Sequence, residues 1–474
     1  LHLLSRRQRQ MCIRDSFKDN IACITPSGEQ VSYGELQALT ARIISNLKPY
    51  QLVFSMCSNT IGSVAGYISF VNNDDATLML DSHIERSAFD ALYQTYLPRY
   101  VWAPKEFASP KGAENIFCEK DYILWEIMSN ESPVSDKLSV LLTTSGSTGS
   151  PKLVRLSKEN LMSNALSIVE YLNITANERP VTGLPMYYSF GLSIINSHVL
   201  VGATLLLTPS SYVEREFWQF ANDNSFTSFS GVPYTFEIMK KLKLWKIPMP
   251  TLRTLTQAGG KLSNELLQFF IEKYEPRGVK FFLMYGQTEA TARMSYLDPK
   301  YSIIKLGSIG KGIPCGTFSL VDNDGKVIED ANEVGELVYE GANVSLGYAE
   351  CADDLMKDDE NHGCLHTGDL AYRDKDGFYF IIGRKKRFLK LFGNRISLDY
   401  VETFLKEKLK ECVCVGDDSK LIIYTTDIDY VENDIIDFIV TRTKIVRTVF
   451  SVRHINEIPH SESGKILYKK LNID

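Results

Sequence analysis

The most informative feature of this sequence is a run of serine, threonine and glycine directly after a strand-like segment. Residues 143–152 read TTSGSTGSPK, and they follow the apolar residues 138–142, which are typical of a buried strand. Glycines let a backbone turn sharply, and the successive N–H groups of such a loop form a concave nest for an anion. The hydroxyl groups and Lys152 add donors and a positive charge. We therefore predict a polyphosphate-binding loop, with a flexible Ser/Gly linker as the alternative.

Composition narrows the class of protein. At 474 residues, of which 44% are hydrophobic, the chain can bury large cores and should hold more than one domain. Its net charge of −6 disfavours a nucleic-acid partner. The nine cysteines include no C-x-x-C pair, which favours reduced thiols in a cytoplasmic protein over a zinc or disulfide framework. No apolar stretch is long enough for a predicted transmembrane segment.

The first sixteen residues differ from the rest of the chain. Residues 1–16 are basic and contain neither the apolar core nor the cleavage site of a secretory signal. We expect them to be a non-native or disordered extension outside the fold. An Arg-rich transit peptide is the alternative interpretation.

The pattern of apolar segments predicts an α/β protein. Strand-like and helix-like segments alternate up to about residue 283, which is typical of a helix-covered, largely parallel sheet. Within this part, Ser32 and Glu35 form a capping-box pattern before a helix that we expect to run to about Leu47. Residues 307–382 change to short strands and Gly/Asp turns, which predict a small β-barrel or sheet. We predict a large domain over 17–383 and a small, mobile α+β domain over 384–474.

Two further motifs carry groups suited to a nucleotide. Residues 285–289 read YGQTE, in which the aromatic ring of Tyr285 could support a base and Glu289 offers oxygen ligands for Mg²⁺. In the sequence HTGD at residues 366–369, the carboxylate of Asp369 could accept hydrogen bonds from both hydroxyls of a ribose. Taken singly, the first motif is equally compatible with an ordinary strand exit and the second with a surface turn.

Two further segments, each with a candidate cationic side chain, complete the set. Arg384 begins the run RKKR, which is a solvated linker or a nucleic-acid patch when it is considered alone. Residues 459–465 read PHSESGK, a turn that would project Lys465 outwards at the entry to a helix.

The five motifs, in this order and at this spacing, resemble those of the superfamily of adenylate-forming enzymes: acyl-CoA synthetases, stand-alone adenylation domains and luciferase-like ligases. The resemblance extends over residues 17–471. It implies that the loop binds the β- and γ-phosphates of ATP through Thr144, Ser145, Gly146, Ser147, Thr148, Gly149 and Lys152.

The resemblance also implies roles for the remaining motif residues. Tyr285 stacks on adenine, with Gly286 beside it and the backbone of Gly259 and Gly260 on the other face of the base. Thr288 contacts the α-phosphate and Glu289 binds Mg²⁺. Asp369 and Arg384 hold the ribose. Lys386 is the hinge of the small domain, and Lys465 reaches the reacting carboxylate.

The acyl pocket should form around Tyr188, Ser230, Met284 and Gly286. Relatives that activate amino acids use an aspartate in the segment equivalent to residues 184–191, and this segment contains none. Because a buried ammonium without a partner is costly, an α-amino acid is disfavoured. We predict a fatty or aromatic carboxylic acid without an amino group.

The predicted function is an ATP-dependent, AMP-forming acid–thiol ligase that uses Mg²⁺. CoA is the favoured acceptor. Phe392 stands where the family commonly has a basic residue, which leaves the phosphopantetheine of an acyl carrier protein as an alternative acceptor. A degenerate nucleotide-binding homologue without turnover and a nucleic-acid-binding protein are the alternatives from other classes.

Overall fold

The computed structural model describes residues 15–143, 152–391, 394–417, 419–460 and 466–471. Contacts between Cα atoms divide the chain into two compact units. The first unit contains residues up to Gly307, together with Gly312–Thr317 and Glu340–Leu365. The second contains Ser308–Lys311, Phe318–Tyr339 and the chain from His366 onwards. The predicted domain boundary at residue 384 stays a prediction.

The strands of the described residues are numbered in chain order. The first nine are β1 (Ile21–Ile24), β2 (Gln30–Ser32), β3 (Leu52–Cys57), β4 (Ala76–Asp81), β5 (Tyr100–Pro104), β6 (Glu114–Glu119), β7 (Tyr122–Glu126), β8 (Leu138–Thr143) and β9 (Leu153–Ser157). The next nine are β10 (Leu205–Leu206), β11 (Ser228–Gly231), β12 (Thr254–Gln257), β13 (Lys280–Tyr285), β14 (Ser295–Leu297), β15 (Lys311–Gly312), β16 (Gly316–Val321), β17 (Val334–Gly341) and β18 (Gly347–Ala349). The last seven are β19 (Cys364–Arg373), β20 (Tyr379–Arg384), β21 (Phe388–Leu391), β22 (Asn394–Ser397), β23 (Cys412–Asp417), β24 (Lys420–Thr425) and β25 (Phe450–His454).

The α-helices are numbered in the same way. They are α1 (Tyr33–Ile44), α2 (Ile61–Asn72), α3 (Arg86–Tyr96), α4 (Lys158–Leu172), α5 (Ser189–Val199), α6 (Arg215–Asp223), α7 (Pro233–Lys241), α8 (Asn264–Tyr274), α9 (Leu398–Leu405) and α10 (Glu432–Thr443). Among the described residues, none of these helices has the length and apolar character that a membrane crossing requires.

An eight-stranded sheet forms the centre of the first unit. Its strand order is β18-β9-β8-β4-β3-β5-β7-β6. Its middle strands β8, β4, β3 and β5 are parallel neighbours, and every residue of β3 is buried. Apolar residues on both faces of a strand are expected where helices cover both sides of a sheet, and α2 is buried along nearly its whole length.

A second sheet of the first unit positions the candidate site. Strands β11, β12 and β13 are parallel and adjacent, and β14 pairs antiparallel with β13. The carboxyl ends of the three parallel strands therefore lie at one edge. That edge is where ligands usually bind in open α/β sheets.

The second unit is built from smaller sheets. Strands β16, β17, β19 and β20 follow one another in a four-stranded sheet, in the part of the chain where we predicted a small barrel or sheet. Further along the chain are the hairpin β21-β22 and the sheet β23-β24-β25. Helices α9 and α10 pack on this last sheet through one apolar core that includes Val401, Ile423 and Ile439.

Local signals of the sequence are present at α1. The Ser32 hydroxyl accepts a hydrogen bond from the N–H of Glu35, and the Glu35 carboxylate accepts one from the N–H of Ser32. The predicted capping box is therefore confirmed. The helix ends at Ile44, earlier than the expected end near Leu47, and Ser45 caps it.

Candidate active site

The candidate site lies where the three parallel strands of the second sheet end. Gly259 follows β12 by two residues, and Gly286 follows β13 directly. Gly259 has a φ of +85°, and an added Cβ would lie 2.6 Å from the hydroxyl oxygen of Tyr188. Glycine therefore allows the α5 segment to approach the end of β12 closely.

The YGQTE motif forms the end of β13 and the short helix that follows it. Tyr285 is the last residue of β13, while Thr288 and Glu289 begin a 3-10 helix. The hydroxyl oxygens of Thr288 and Ser189 are 3.0 Å apart. The residue predicted to contact the α-phosphate therefore lies next to Ser189, which belongs to the predicted pocket segment 184–191.

Lys152, Glu289 and Tyr348 form a group that we call the phosphate-side cluster. The hydroxyl of Tyr348 donates a 2.9 Å hydrogen bond to Oε1 of Glu289. The Nζ of Lys152 lies 3.8 Å from the centroid of the Tyr348 ring and 3.7 Å from a carboxylate oxygen of Glu350. Burial, and then the charge of Glu289, raises the pKa of Tyr348, so its hydroxyl keeps the proton that it donates.

The sequence offered no signal for Tyr348. It is one of 24 tyrosines and lies 59 residues beyond Glu289. It reaches the cluster because β18 pairs antiparallel with β9, which begins directly after Lys152. That strand pairing, rather than a sequence motif, shows that Tyr348 belongs to the phosphate-side cluster.

The partly exposed carboxylate of Glu289 fits a magnesium ion. One of its oxygens is held by Tyr348 in the same cluster as Lys152. Mg²⁺ in proteins is commonly bound by one or two carboxylates together with substrate phosphates and water. Glu289 would hold the ion, which would neutralise phosphate charge when bound.

An apolar group that we call the acyl cluster lies beside Thr288. It contains Leu184, Phe190, Ile194, Val232, Ala258, Phe282 and Met284, with Tyr171, Leu172, Tyr188 and Tyr296 packed against it. The structure thus brings Tyr188 and Met284, both predicted from the sequence, into one group. Burial raises the pKa of Tyr188 to about 12, so its hydroxyl is neutral at ordinary pH.

The two other predicted pocket residues, Ser230 and Gly286, are closely packed against neighbouring residues. Ser230 is buried, and its hydroxyl lies 2.7 Å from that of Thr256 on the adjacent strand. A Cβ added to Gly286 would lie only 1.7 Å from the carbonyl oxygen of Ala292. Position 286 therefore accepts no side chain without a shift of the β13–β14 hairpin.

The predicted ribose pair lies in the second unit. Asp369 and Arg384 are opposite each other in the antiparallel pairing of β19 and β20, and Nε of Arg384 is 3.1 Å from Oδ1 of Asp369. The Asp369 side chain is 4% exposed and that of Arg384 is 62% exposed. The ion pair therefore holds the two predicted ribose residues side by side, with the guanidinium on the exposed side.

The predicted hinge residue Lys386 is the middle residue of the 3-10 helix Lys385–Arg387. On its carboxyl side, the guanidinium of Arg387 pairs with Asp399 and Glu402 and donates to the hydroxyl of Tyr468. Burial opposes the charge of Arg387, but Glu402, Tyr468 and Asp399 together raise the pKa of its guanidinium. The chain directly after Lys386 is therefore firmly bound within its unit.

Some predicted site residues lie outside the described residues. They are Lys465 and the phosphate-loop residues Thr144, Ser145, Gly146, Ser147, Thr148 and Gly149. The loop's end at Lys152 and the strands β8 and β9 on either side of it are described.

A family model described as AMP-binding enzyme matches residues 71–349. The chain belongs to this family. The resemblance to adenylate-forming enzymes predicted from the motifs is confirmed.

Individual relatives are identical to this chain at about a quarter of the aligned positions. A 2-succinylbenzoate–CoA ligase of Bacillus cytotoxicus is 27% identical over 355 residues, which cover 73% of this chain and 72% of the relative. A feruloyl-CoA synthase of an Amycolatopsis species is 26% identical over 346 residues, covering 70% and 69%.

Solved structures share the fold. The O-succinylbenzoate coenzyme A synthetase MenE of Bacillus subtilis in complex with AMP matches with a TM-score of 0.76 and 22% identity over 98% of this chain and 97% of its own. ATP-bound MatB of Rhodopseudomonas palustris gives a TM-score of 0.77 at 18% identity, with 98% of both chains covered. The predicted α/β fold, with a large N-terminal part and a smaller C-terminal part, is confirmed.

Proposed function

We propose that this protein is an ATP-dependent, AMP-forming acid–CoA ligase. It activates a carboxylic acid without an amino group as an acyl-adenylate and transfers the acyl group to the thiol of CoA. Membership of the AMP-binding enzyme family and the names of the CoA-ligase relatives support this proposal.

The phosphate-side cluster is the observation that carries the proposal. Attack of a carboxylate on the α-phosphate of ATP brings two anions together, so catalysis depends on positioning and on cations. Lys152 and a carboxylate suited to Mg²⁺ meet at Tyr348, and Thr288 lies next to Glu289 in the chain. Thr288 contacts the α-phosphate, and Lys152 together with residues 144–149 binds the leaving pyrophosphate.

The other predicted residues complete nucleotide binding. Tyr285 stacks on the adenine, with Gly286 beside it and Gly259 and Gly260 on the opposite face of the base. Asp369 and Arg384 hold the ribose, and their contact within one sheet supports this role. Lys465 neutralises the reacting carboxylate and α-phosphate.

The acyl cluster receives the acid. Tyr188, Ser230, Met284 and Gly286 shape the pocket, and the segment 184–191 offers no carboxylate for an ammonium group. The predominantly apolar lining favours a hydrocarbon portion next to the reacting carboxylate.

The second step requires a movement of the small domain about Lys386. The thiol acceptor is CoA, and the phosphopantetheine of an acyl carrier protein is the alternative. We place the protein in the cytoplasm because its cysteine pattern suits reduced thiols, and we expect no nucleic-acid partner because the net charge is −6.

The test measures pyrophosphate release from ATP and Mg²⁺ over a panel of fatty, aromatic and dicarboxylic acids. We expect release that depends on one class of acid, followed by thioester formation when CoA is added. Thioester formation with a phosphopantetheinylated carrier protein but not with CoA would favour the alternative acceptor. Nucleotide binding without acid-dependent release for any acid would instead identify a homologue without turnover.

A further inference from the structure

Arg293 is a buried cation whose described neighbours are all neutral. It is 1% exposed. Its Nε donates to the hydroxyl of Ser193 at 3.0 Å, and its Nη1 donates to the hydroxyl of Tyr171 at 3.2 Å and contacts Sδ of Met284 at 3.6 Å. Its guanidinium carbon lies 5.0 Å from the ring centroid of Phe190. Among the residues that the structure describes, no carboxylate pairs with Arg293.

Two other buried arginines of the same unit are compensated within the protein. Arg155 donates to four backbone carbonyls and pairs with Glu360 at 2.6 Å. Arg99 pairs with Glu126 at 2.6 Å. Burying a guanidinium without a counter-charge costs free energy, and an arginine side chain keeps its charge in proteins. Within the described part of the chain, Arg293 therefore has hydrogen-bond partners but no counter-charge.

The backbone before Arg293 is held in an uncommon conformation. Thr291 and Ala292 have φ values of +55° and +87°, which side-chain-bearing residues rarely adopt. The hydroxyl of Thr291 donates to the carbonyl of Asn343, whose side-chain amide donates to the carbonyls of Ala290 and Arg293. The turn that leads into Arg293 is thus fixed by specific contacts.

Arg293 lies on the acyl side of the reaction centre. Ser189 contacts Thr288 and Ser193 contacts Arg293, and these serines are about one turn apart on α5. Three contact residues of Arg293, namely Tyr171, Phe190 and Met284, belong to the acyl cluster. The guanidinium is therefore about one helical turn further along α5 than the hydroxyl proposed to contact the α-phosphate.

We propose that Arg293 determines specificity by binding a second carboxylate, on the part of the acid that does not react. This inference rests on the proposed ligase function and names its substrate class as dicarboxylic acids. A guanidinium matches a carboxylate with two parallel hydrogen bonds, and the substrate anion would supply the missing counter-charge. The first carboxylate reacts at the α-phosphate while the second is held by Arg293.

The test compares acids of equal carbon number. Pyrophosphate release is measured with succinate against butyrate, glutarate against pentanoate and adipate against hexanoate. We expect at least one diacid to be preferred by the unmodified enzyme about tenfold or more in kcat/KM, and Arg293→Met to abolish or reverse that preference. Arg215→Met, which removes an exposed arginine of α6, is the matched control and should keep the preference.

A second readout separates this inference from the ligase function. The preferred diacid should raise the Tm of the unmodified protein in the presence of AMP, and Arg293→Met should lose that rise whether or not pyrophosphate is released. If Arg293→Met does not fold, Arg293→Lys keeps the charge without the planar fork and should reduce the preference. An equal loss of activity for diacid and monoacid, or a wild-type protein with no diacid preference and no Tm response, would overturn the proposal.

Discussion

Tyr348 contacts two charged side chains through different parts of its own side chain. Its hydroxyl is a hydrogen-bond donor to Glu289, and its ring lies beneath the ammonium of Lys152. A cation gains from the face of an aromatic ring, and a carboxylate gains from a donor. Tyr348 therefore links the proposed Mg²⁺ ligand and a proposed phosphate ligand within one cluster.

We predict that Tyr348→Phe weakens the use of Mg²⁺ more than the binding of ATP. The ring that faces Lys152 is retained, while the hydrogen bond to Glu289 is lost. Since hydrogen bonds to charged groups contribute about 1.5–3 kcal/mol, kcat/KM should fall about ten- to a hundredfold. Initial rates of pyrophosphate release, measured across a Mg²⁺ titration, should show a higher half-saturating Mg²⁺ concentration.

Tyr400→Phe provides the control for this variant. Tyr400 is 55% exposed on α9, so the loss of its hydroxyl should leave the rate and the Mg²⁺ dependence unchanged. A Tyr348→Phe enzyme with an unaltered Mg²⁺ titration would show that the hydrogen bond does not position Glu289.

Lys465 is the residue on which the proposed chemistry depends most. Removing a donor that stabilises charge in the transition state typically costs about 3 kcal/mol or more. We expect Lys465→Ala to slow acyl-adenylate formation at least about a hundredfold, with an unchanged circular dichroism spectrum. Near-normal pyrophosphate release by this variant would remove Lys465 from the mechanism.

At the scale of elements, the sequence predicted kinds of structure better than their ends. The apolar run 138–142 is β8, and the YGQTE motif begins at the end of β13. The helix expected to run to about Leu47 instead ends at Ile44, where Ser45 caps it. Local patterns indicate where an element exists, whereas its limits depend on neighbours far along the chain.

The same distinction applies to the candidate site. Motif residues such as Thr288 and Asp369 could be proposed as site residues from the sequence because they occur in short, recognisable strings. Tyr348 and Arg293 could not, since each is a single residue whose meaning comes from tertiary contacts with Glu289 or with the acyl cluster. Sequence patterns carry no information about which distant strand will lie alongside β9.

The turn that leads into β4 should make stability depend on pH. Asp75 is fully buried, accepts hydrogen bonds from the N–H of Gln51 and from the amide of Asn73, and has its pKa raised by burial to about 7. In the unfolded chain, the pKa of aspartate is about 3.9. Between these two values the unfolded state releases the proton and the folded state keeps it. The free energy of unfolding therefore falls as pH rises.

We predict that Asp75→Asn removes this component of the pH dependence. From about pH 4.5 to 7, the wild-type protein should lose up to about 1.4 kcal/mol per pH unit relative to the variant. Urea unfolding of both proteins at several pH values, followed by circular dichroism, measures the difference. Parallel curves for the two proteins would contradict a raised pKa at Asp75.

The proposed two-step reaction requires a change of backbone angles near Lys386. Asp399 accepts a hydrogen bond from the N–H of Arg384 and pairs with the side chain of Arg387, so one carboxylate contacts the chain on both sides of Lys386. Rotation about Lys386 would have to break one of these contacts while Glu402 keeps its hold on Arg387.

We predict that Lys386→Pro separates the two half-reactions. Proline fixes φ near −65°, which suits a short helix but blocks a large rotation. Pyrophosphate release should stay within about threefold of the wild-type rate, while thioester formation should fall at least about a hundredfold. Lys386→Ala, which leaves φ free, should retain both steps, and an equal loss of both steps in Lys386→Pro would exclude a hinge.

The division into two units also determines what tryptophan fluorescence can measure in this protein. All four tryptophans, Trp102, Trp125, Trp218 and Trp245, belong to the first unit. Trp102 is fully buried and stacks on Tyr122. Indole emission during denaturation therefore follows the melting of the first unit alone. A tryptophan introduced into the second unit would give that unit its own optical signal.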